Sequence, residues 1–205
     1  LLIDQSLKIW IKTHMYLGEE IPIFGDWFII HFTENNGMAF GLELGTEYGK
    51  LILSLFRMLA VGAIGWILFT FPKENVSRGL LACVSLIFAG AVGNILDSVF
   101  YGVIFNDSYA QLATMFPPEG GYAKLLHGRV VDMLYFPIIK GFIPDWVPIW
   151  GGEYFVFFRP VFNIADSAIT VGVISIILFH RDFFKNGFNL KAKNQDSVNQ
   201  ETSDK

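Results

Sequence analysis

The chain has 205 residues, of which 53% are hydrophobic, 16% aromatic and only 17% charged, with a formal net charge of −4. Soluble domains carry about 25% charged residues, so this composition argues against a soluble globular domain and favours an integral membrane protein. The net charge says little about partners by itself, and we expect no nucleic-acid partner. The single cysteine, Cys83, excludes a disulfide within the chain.

Long apolar segments predict the membrane-spanning helices. About 20 predominantly apolar residues cross a bilayer, and residues 51–71, 79–100 and 160–180 each provide such a segment. Pro160 suits the first turn of the last helix. Residues 1–16 are expected to be the end of a further helix whose beginning lies upstream. The sequence therefore predicts an all-α integral membrane protein with four transmembrane helices, the first of them truncated.

Basic residues indicate the orientation of these helices. The loop between the second and third helices carries Lys73 and Arg78, and further basic residues follow the last helix. Residues 13–49 contain no Lys or Arg. Because Lys and Arg concentrate in cytoplasmic loops, both ends of the chain are predicted to be cytoplasmic. Segments 17–49 and 101–158 are then predicted to lie on the outer side.

The two outer segments contain more than linkers. Residues 27–32 are β-prone and lead to the turn signal Asn35-Asn36-Gly37, which predicts a small sheet on the membrane surface. Residues 103–158 are rich in aromatic residues, Gly and Pro, and include Trp146 and Trp150. Tryptophan favours the depth of the lipid headgroups, so we expect an interfacial loop lobe that covers part of the molecule.

Several ionisable side chains lie within apolar segments, where each costs on the order of 2.5–3.5 kcal/mol at the centre of a membrane helix. Asp166 is predicted to lie about two turns into the last helix, on the same face as Asn163. Asn94 and Asp97 repeat this spacing, so two helices present an Asn and an Asp at similar depth. Asp132 lies in a short apolar run between valines, where simple solvation is not expected.

Two carboxyls in a poorly hydrated place do not both ionise easily, so one holds a proton while the other stays charged. Such a pair can position a water, remove its proton and protonate a departing amide nitrogen. Each acid also has a structural interpretation: Asp97 as a helix-end residue, Asp166 as a buried structural acid, Asp132 as a loop residue. Arg57 is expected to snorkel or to neutralise an acid on an adjacent helix. The histidines lack partners at metal-ligand spacing, so we expect neither a metal nor a cofactor.

Five short motifs occur in order along the chain. They are Asp4-Gln5 with Lys8, Asn35-Asn36-Gly37-Met38-Ala39-Phe40-Gly41, Gly93-Asn94-Ile95-Leu96-Asp97, Val130-Val131-Asp132, and Phe162-Asn163-Ile164-Ala165-Asp166 with Gly172. Any one of them is weak, but all five in this order on a four-helix plan are specific. In these motifs the chain resembles the lipoprotein signal peptidases (signal peptidase II), which are aspartic proteases of bacterial inner membranes.

The resemblance implies that Asp132 and Asp166 are the catalytic pair. It implies substrate-binding or supporting roles for a further set of residues: Asp4, Lys8, Asn35, Gly37, Asn94, Asp97 and Asn163. The implied substrate is a diacylglyceryl-modified prolipoprotein, cut on the amino side of its lipidated cysteine without a metal or cofactor. Membrane lipids and the inhibitory cyclic peptide globomycin are the other implied partners, and we expect a monomer.

The resemblance also carries expectations about location and domain organisation. Residues 1–183 are expected to form a single membrane-embedded peptidase domain, and residues 184–205 a disordered cytoplasmic tail. The protein is expected to cross the bacterial inner membrane several times. Its active site is then expected near the periplasmic face.

Two features depart from the family pattern. Ser98 stands where the family usually has an arginine after Asp97, so any contact of that arginine with substrate is expected to be vacant or supplied by another cation, such as Arg129 or Arg159. The intervals from Asp97 to Asp132 and from Asp132 to Asp166 also look longer than usual. The added sequence predicts that the interfacial lobe is enlarged around an unchanged helical core.

Two other classes of function remain open on the residues alone. A small proton-coupled transporter would use Asp97, Asp166 and Arg57 as a relay, although the acids cluster toward one face and the sequence shows no internal repeat. A non-enzymatic assembly factor would use the same acids only to bind partners.

Overall fold

The structure is a computed structural model that describes residues 1–35, 47–70 and 77–180, apart from the side chains of residues 47–50 and 53. The predicted turn at Asn36-Gly37 lies outside the described residues, and so does the predicted tail, 184–205. The expectations about Gly37 and the tail therefore stay predictions.

The described residues contain both helices and strands. In chain order the elements are α1 (Leu2–His14), β1 (Glu20–Phe24), β2 (Phe28–Asn35), α2 (Glu47–Thr70), α3 (Arg78–Leu96), α4 (Gly102–Ile104), β3 (Val130–Tyr135), β4 (Ile139–Phe142), β5 (Tyr154–Phe157), β6 (Val161–Phe162) and α5 (Ile164–Phe179). A π-helical turn, Asp97–Tyr101, joins α3 to α4.

The all-α class predicted from the sequence is incomplete. Strands β1, β2, β3 and β6 form a four-stranded antiparallel sheet in that order, and β4 pairs with β5 in a separate two-stranded sheet. The strand predicted at residues 27–32 is confirmed by β2. Strand β3 was not predicted, and β6 was assigned to a helix, because both pair with residues far away in the chain. A local hydrophobic pattern does not report such pairing.

Helices occur where the sequence predicts the second and third ones, and the last one begins later than predicted. Among the described residues, one continuous helical stretch, 78–104, is long and apolar enough to cross a membrane. Residues 54–70 and 164–179 form shorter apolar helices. Helix α3 begins after Ser77, whose hydroxyl accepts a hydrogen bond from the Leu80 backbone N–H.

Glycines allow α3 and α5 to pack closely. A Cβ atom at Gly90 would lie 2.4 Å from the Ala165 carbonyl oxygen, and one at Gly172 would lie 2.7 Å from the Ile87 side chain. Because a larger residue has no room at either position, the two helices approach only through glycine. This packing brings the end of α3 next to the first turn of α5.

The side chains of β3 alternate between an apolar core and the opposite face of the sheet. Val131 and Met133 are fully buried in a core that α1 also lines with Ile11 and Met15. Asp132 lies between them and therefore points to the other face. A register shift of one residue would expose both apolar side chains, so their burial determines the direction of Asp132.

A bulge in β2 aims a second strand at the same face. Ile30 is paired with Leu134, but Thr33 is paired with Asp132, so one extra residue lies in β2 between these pairs. The extra residue reverses the alternation of side chains along the strand. As a result Asn35, at the end of β2, lies on the face that carries Asp132.

Candidate active site

The first turn of α5 holds Asp166 in place. The Asn163 side-chain oxygen accepts a hydrogen bond from the Asp166 backbone N–H at 2.9 Å, and the Asp166 carboxylate accepts one from the Asn163 backbone N–H at 3.3 Å. This reciprocal arrangement is a capping box.

The predicted position of Asp166, two turns into the helix, is wrong. Val161–Phe162 form a strand after Pro160, and α5 begins only at Ile164.

Asp132 is 4% exposed and is held by two asparagine amides. One carboxylate oxygen accepts a hydrogen bond from the Asn163 side chain at 2.7 Å, and the other accepts one from the Asn35 side chain. Asn163 thus binds Asp132 through its side-chain amide and Asp166 through its backbone N–H. The two acids that the sequence resemblance pairs are therefore neighbours, joined by one residue.

Asn94, from the last turn of α3, links this pair to the rest of the site. Its amide donates to the Asp166 carboxylate at 2.7 Å. Its side-chain oxygen accepts hydrogen bonds from Lys8 at 2.9 Å and from the Asn163 amide at 3.1 Å. A neutral residue with both donor and acceptor atoms can make all these bonds at once, which accounts for asparagine at this position.

Three charged residues form a buried ion cluster beside the pair. The Lys8 ammonium lies 3.1 Å from Asp4 and 2.8 Å from Asp97, and none of the three side chains is more than 2% exposed. Asp4 accepts a hydrogen bond from the Ala165 backbone N–H, and Asp97 accepts one from the Val131 backbone N–H. The cluster therefore joins α1 and α3 to the residues that precede the two catalytic candidates in α5 and β3.

The environments of Asp132 and Asp166 differ. Burial raises the pKa of the Asp132 carboxyl to about 7, and the nearby charge of Asp166 contributes to the rise. The amides of Asn163 and Asn35 act in the opposite direction because they stabilise the carboxylate. Asp166 lies at the N-terminus of α5, where the helix dipole favours a negative charge. Arg57 of α2 interacts electrostatically with both acids.

Ser98 stands where the family usually has an arginine, and the structure shows what this position contacts. Ser98 is buried, and its hydroxyl donates to the Asn94 backbone carbonyl at 3.0 Å. Arg129, one suggested substitute, forms ion pairs with acids of its own surroundings, and Arg159, the other, is exposed. The charge of Arg57 acts on both carboxyls, and its role in neutralising an acid stays a prediction.

The contributions of two side chains, half-buried Gln5 and buried Lys12, were not predicted from the sequence. The Gln5 side chain donates to Asp97 at 2.9 Å and to the Gly93 carbonyl at 3.1 Å. Lys12 is fully buried and binds Glu34 of β2. Lys8 and Lys12 lie one helical turn apart in an apolar segment and therefore share a helix face. Buried lysines require acidic partners, so this spacing could have predicted a set of acids facing α1.

This arrangement suits acid–base chemistry on a bound water. Two carboxyls share one bridging residue, and the pKa of one of them is raised to about 7. At pH values below about 7 Asp132 carries a proton, and a carboxyl pair that shares one proton provides a base and an acid at the same time.

Comparison with known proteins identifies the family. A family model described as signal peptidase (SPase) II matches residues 1–181. The lipoprotein signal peptidase of Porphyromonas gingivalis is 54% identical over 179 residues, which cover 87% of this chain and 77% of that protein. The lipoprotein signal peptidase of Amoebophilus asiaticus is 41% identical over 183 residues, covering 88% and 73%.

Two solved structures resemble the fold. One is a bacterial membrane enzyme determined by the in meso method at 2.3 Å resolution, with 26% identity, coverage of 93% of this chain and 86% of that one, and a TM-score of 0.53. The other, determined by the same method at 1.9 Å, has 26% identity, coverage of 86% and 84%, and a TM-score of 0.54. The chain is therefore a membrane protein that belongs to the signal peptidase II family, the aspartic proteases that remove signal peptides from prolipoproteins.

Proposed function

We propose that Asp132 and Asp166 are the catalytic pair of this protease and that they activate a water molecule between them. The observation that carries this proposal is the position of Asn163, which donates one hydrogen bond to each carboxylate. The raised pKa of Asp132 supports it, because one carboxyl of an aspartic protease pair must hold a proton at working pH.

In this mechanism Asp166 is the base and Asp132 is the acid. Asp166 removes a proton from the water, whose oxygen attacks the scissile carbonyl carbon. Asp132 then donates its proton to the amide nitrogen as the carbon–nitrogen bond breaks. The pair ends with one proton, now on Asp166, and transfer of that proton back to Asp132 restores the starting state.

The remaining predicted site residues are proposed to support this pair. Asn35, Asn94 and Asn163 would orient the carboxylates, and the ion cluster would keep α1, α3, α5 and β3 in register. Gly37, which lies outside the described residues, is included on the sequence resemblance alone. The supporting set is therefore Asp4, Lys8, Asn35, Gly37, Asn94, Asp97 and Asn163.

We also propose four transmembrane helices, with both termini cytoplasmic and the site near the periplasmic face of the bacterial inner membrane. Exposed apolar side chains on α2 and α5, such as Leu59, Phe69 and Phe179, support contact with lipid. Residues 1–183 would form the single peptidase domain, active as a monomer, and 184–205 its polar tail. A site at this depth would receive a diacylglyceryl-modified cysteine without removing its acyl chains from the bilayer.

Replacing either acid by its amide tests the catalytic pair. Asp132→Asn and Asp166→Asn should each slow cleavage of a diacylglyceryl-modified prolipoprotein by about 10²–10⁴-fold or more. Asp26→Asn, at an exposed position, is the matched control and should retain full activity. Thermal unfolding in detergent checks that the variants fold. Full activity of either active-site variant would refute the assignment.

Inhibition by globomycin tests the surroundings of Ser98. We expect the cyclic peptide to block cleavage, with a lower affinity than for the variant Ser98→Arg, which restores the family's usual cation. Equal affinity for both proteins would show that position 98 does not contribute to inhibitor binding. If globomycin blocks cleavage by neither protein, it is not a ligand of this site.

A further inference from the structure

The chain between β3 and β6 forms a hairpin lobe, defined here as residues 138–158. Strands β4 and β5 pair with each other and not with the four-stranded sheet. The turn between them is closed by hydrogen bonds of the Ile143 and Gly152 backbone N–H groups. An isolated two-stranded hairpin is marginally stable in water, so this lobe requires additional contacts.

Large apolar side chains of the hairpin lobe are exposed. Trp146 is 81% exposed and Ile149 is 88% exposed. The lobe exposes ten such residues in all: Ile138, Ile139, Phe142, Trp146, Ile149, Trp150, Tyr154, Phe155, Phe157 and Phe158. A surface of this kind marks an interaction site with a protein or a membrane.

Both faces of the hairpin are apolar. Tyr154 and Phe155 are neighbours in β5 and therefore point to opposite faces, yet both are about half exposed. Phe142 contacts Tyr154 on one face, and Phe155 contacts Phe157 on the other. A docked protein would cover one face, whereas a fluid lipid environment surrounds both.

We propose that the hairpin lobe inserts into the interfacial layer of the bilayer on the outer side and anchors the active site at that depth. A short connection keeps the lobe close to the helices, because only four residues lie between Phe158 and Asn163 and the five steps between these two span at most about 18 Å. Trp and Tyr are the side chains enriched at this layer. The outer placement rests on the function proposed above.

The backbone limits how deep the lobe can lie. Among the strands of the described residues, none pairs with the outer edges of β4 and β5, and unpaired peptide groups are not tolerated in hydrocarbon. The lobe also carries Lys140, Asp145 and Glu153, which are exposed and require water or headgroups. These features place it among the headgroups and upper acyl chains and exclude the centre of the bilayer.

An anchor at this place would act directly on the catalytic pair. The lobe leaves β3, which carries Asp132, and returns through β6 to the Asn163 cap that binds both acids. Its depth in the bilayer therefore determines the depth of the carboxyls. A substrate whose acyl chains remain in the membrane presents its scissile bond at one depth, so the anchor would control substrate binding.

Tryptophan fluorescence tests insertion without any cleavage assay. The full chain is reconstituted in vesicles of phosphatidylethanolamine and phosphatidylglycerol, with Trp146 as its sole tryptophan after the other four are replaced by Phe. Lipids brominated near the top of the acyl chain should quench Trp146. Acrylamide should quench it several-fold less than it quenches free N-acetyl-tryptophanamide.

Two results would overturn the proposal. Strong quenching by acrylamide without quenching by brominated lipid would place the lobe in water. Protection from both quenchers would show that protein covers it, either a second copy or the rest of the chain. Because neither result depends on catalysis, an active Asp132→Asn variant would refute the proposed function and leave this test intact.

A matched pair of variants connects insertion to activity. Ile149 has a φ of 75° and Phe116 a φ of 52°, and both are largely exposed, but only Ile149 belongs to the hairpin lobe. Aspartate tolerates this left-handed region better than either residue, so both changes to Asp should preserve folding. Ile149→Asp should weaken lipid quenching of Trp146 and raise KM for lipidated substrate several-fold without changing kcat. Phe116→Asp should do neither, and equal effects would contradict the anchor.

Discussion

The buried lysines of α1 and the carboxyl pair show two ways of holding charge inside this protein. Lys8 is neutralised by Asp4 and Asp97, and Lys12 binds Glu34. Asp132, in contrast, is held by the neutral amides of asparagine side chains. Opposite charges in direct contact stabilise each other's ionised forms, whereas neutral donors leave a buried carboxylate only partly compensated.

For two carboxyls outside the helices, the difference appears as pKa shifts in opposite directions. Arg129 donates hydrogen bonds to Asp107, which lower the pKa of that carboxyl. Burial and the charge of Asp166 raise the pKa of Asp132 to about 7. The Asp107 carboxyl therefore stays ionised near neutral pH beside Arg129, while Asp132 can gain or lose a proton there. Proton transfer is therefore expected at Asp132, and structural support is expected from the ion pairs.

Removing Lys8 should have the largest effect on stability. Lys8→Met leaves Asp4 and Asp97 buried without their cation, which costs about 3–5 kcal/mol for a broken buried pair. Thermal unfolding in detergent should show this loss, and the exposed Lys124→Met serves as the control. Unchanged stability would contradict the structural role assigned to the ion cluster.

Two replacements of Asn163 separate helix capping from support of Asp132. Asn163→Ser can still cap α5, while Asn163→Ala loses the cap at a cost of about 1 kcal/mol. Both lose the amide that donates to Asp132, a bond that strengthens as this carboxyl becomes charged on giving up its proton and that corresponds to about 10–100-fold in rate. Cleavage rates should therefore fall in both variants, and unfolding should change mainly in the alanine variant. Full activity of Asn163→Ser would contradict this division.

The pH dependence of cleavage should reflect the proton of Asp132. Activity should fall as pH rises through about 7, because the acid form of Asp132 is lost there. The folded-state pKa lies above the unfolded one, so this carboxyl stabilises the fold at low pH and loses that contribution as pH rises to about 7. Asp132→Asn should therefore gain thermal stability relative to the parent protein in alkaline buffer. A parent activity that stays constant well above neutral pH would contradict this assignment.

The smallest expected effect concerns Arg57. Arg57→Gln removes a cation that interacts with both carboxyls, so it should raise the pKa of Asp132 further. The alkaline fall in activity should move to higher pH by less than about one unit. Arg57→Lys keeps the charge and should leave the profile in place. A shift to lower pH in the glutamine variant would show that Arg57 acts in some other way.

The sequence was sufficient to predict which residues form the site but not which contacts they make with one another. Asn94, Asp97, Asn163 and Asp166 were identifiable because polar residues in apolar segments need a reason. Their contacts depend on helix packing through Gly90 and on strand pairing between distant residues, which local spacing does not encode.

Asp132 and Asp166 illustrate this limit. Asp132 was ambiguous as a residue of a short apolar run, since its burial depends on the neighbouring strands β2 and β6. Asp166 was placed about one turn too deep, because a two-residue strand before the helix leaves no periodic pattern. The family excludes the transporter and assembly-factor alternatives, which the residues alone had left open.

The most direct test of the central claim is a double-mutant cycle on the two acids. Cleavage of one diacylglyceryl-modified prolipoprotein is measured for Asp132→Asn, Asp166→Asn and the double variant in the same vesicles. If the carboxyls act as one catalytic unit, the double variant should be no slower than the slower single variant. Losses that multiply, or a single variant that remains fully active, would contradict the pair.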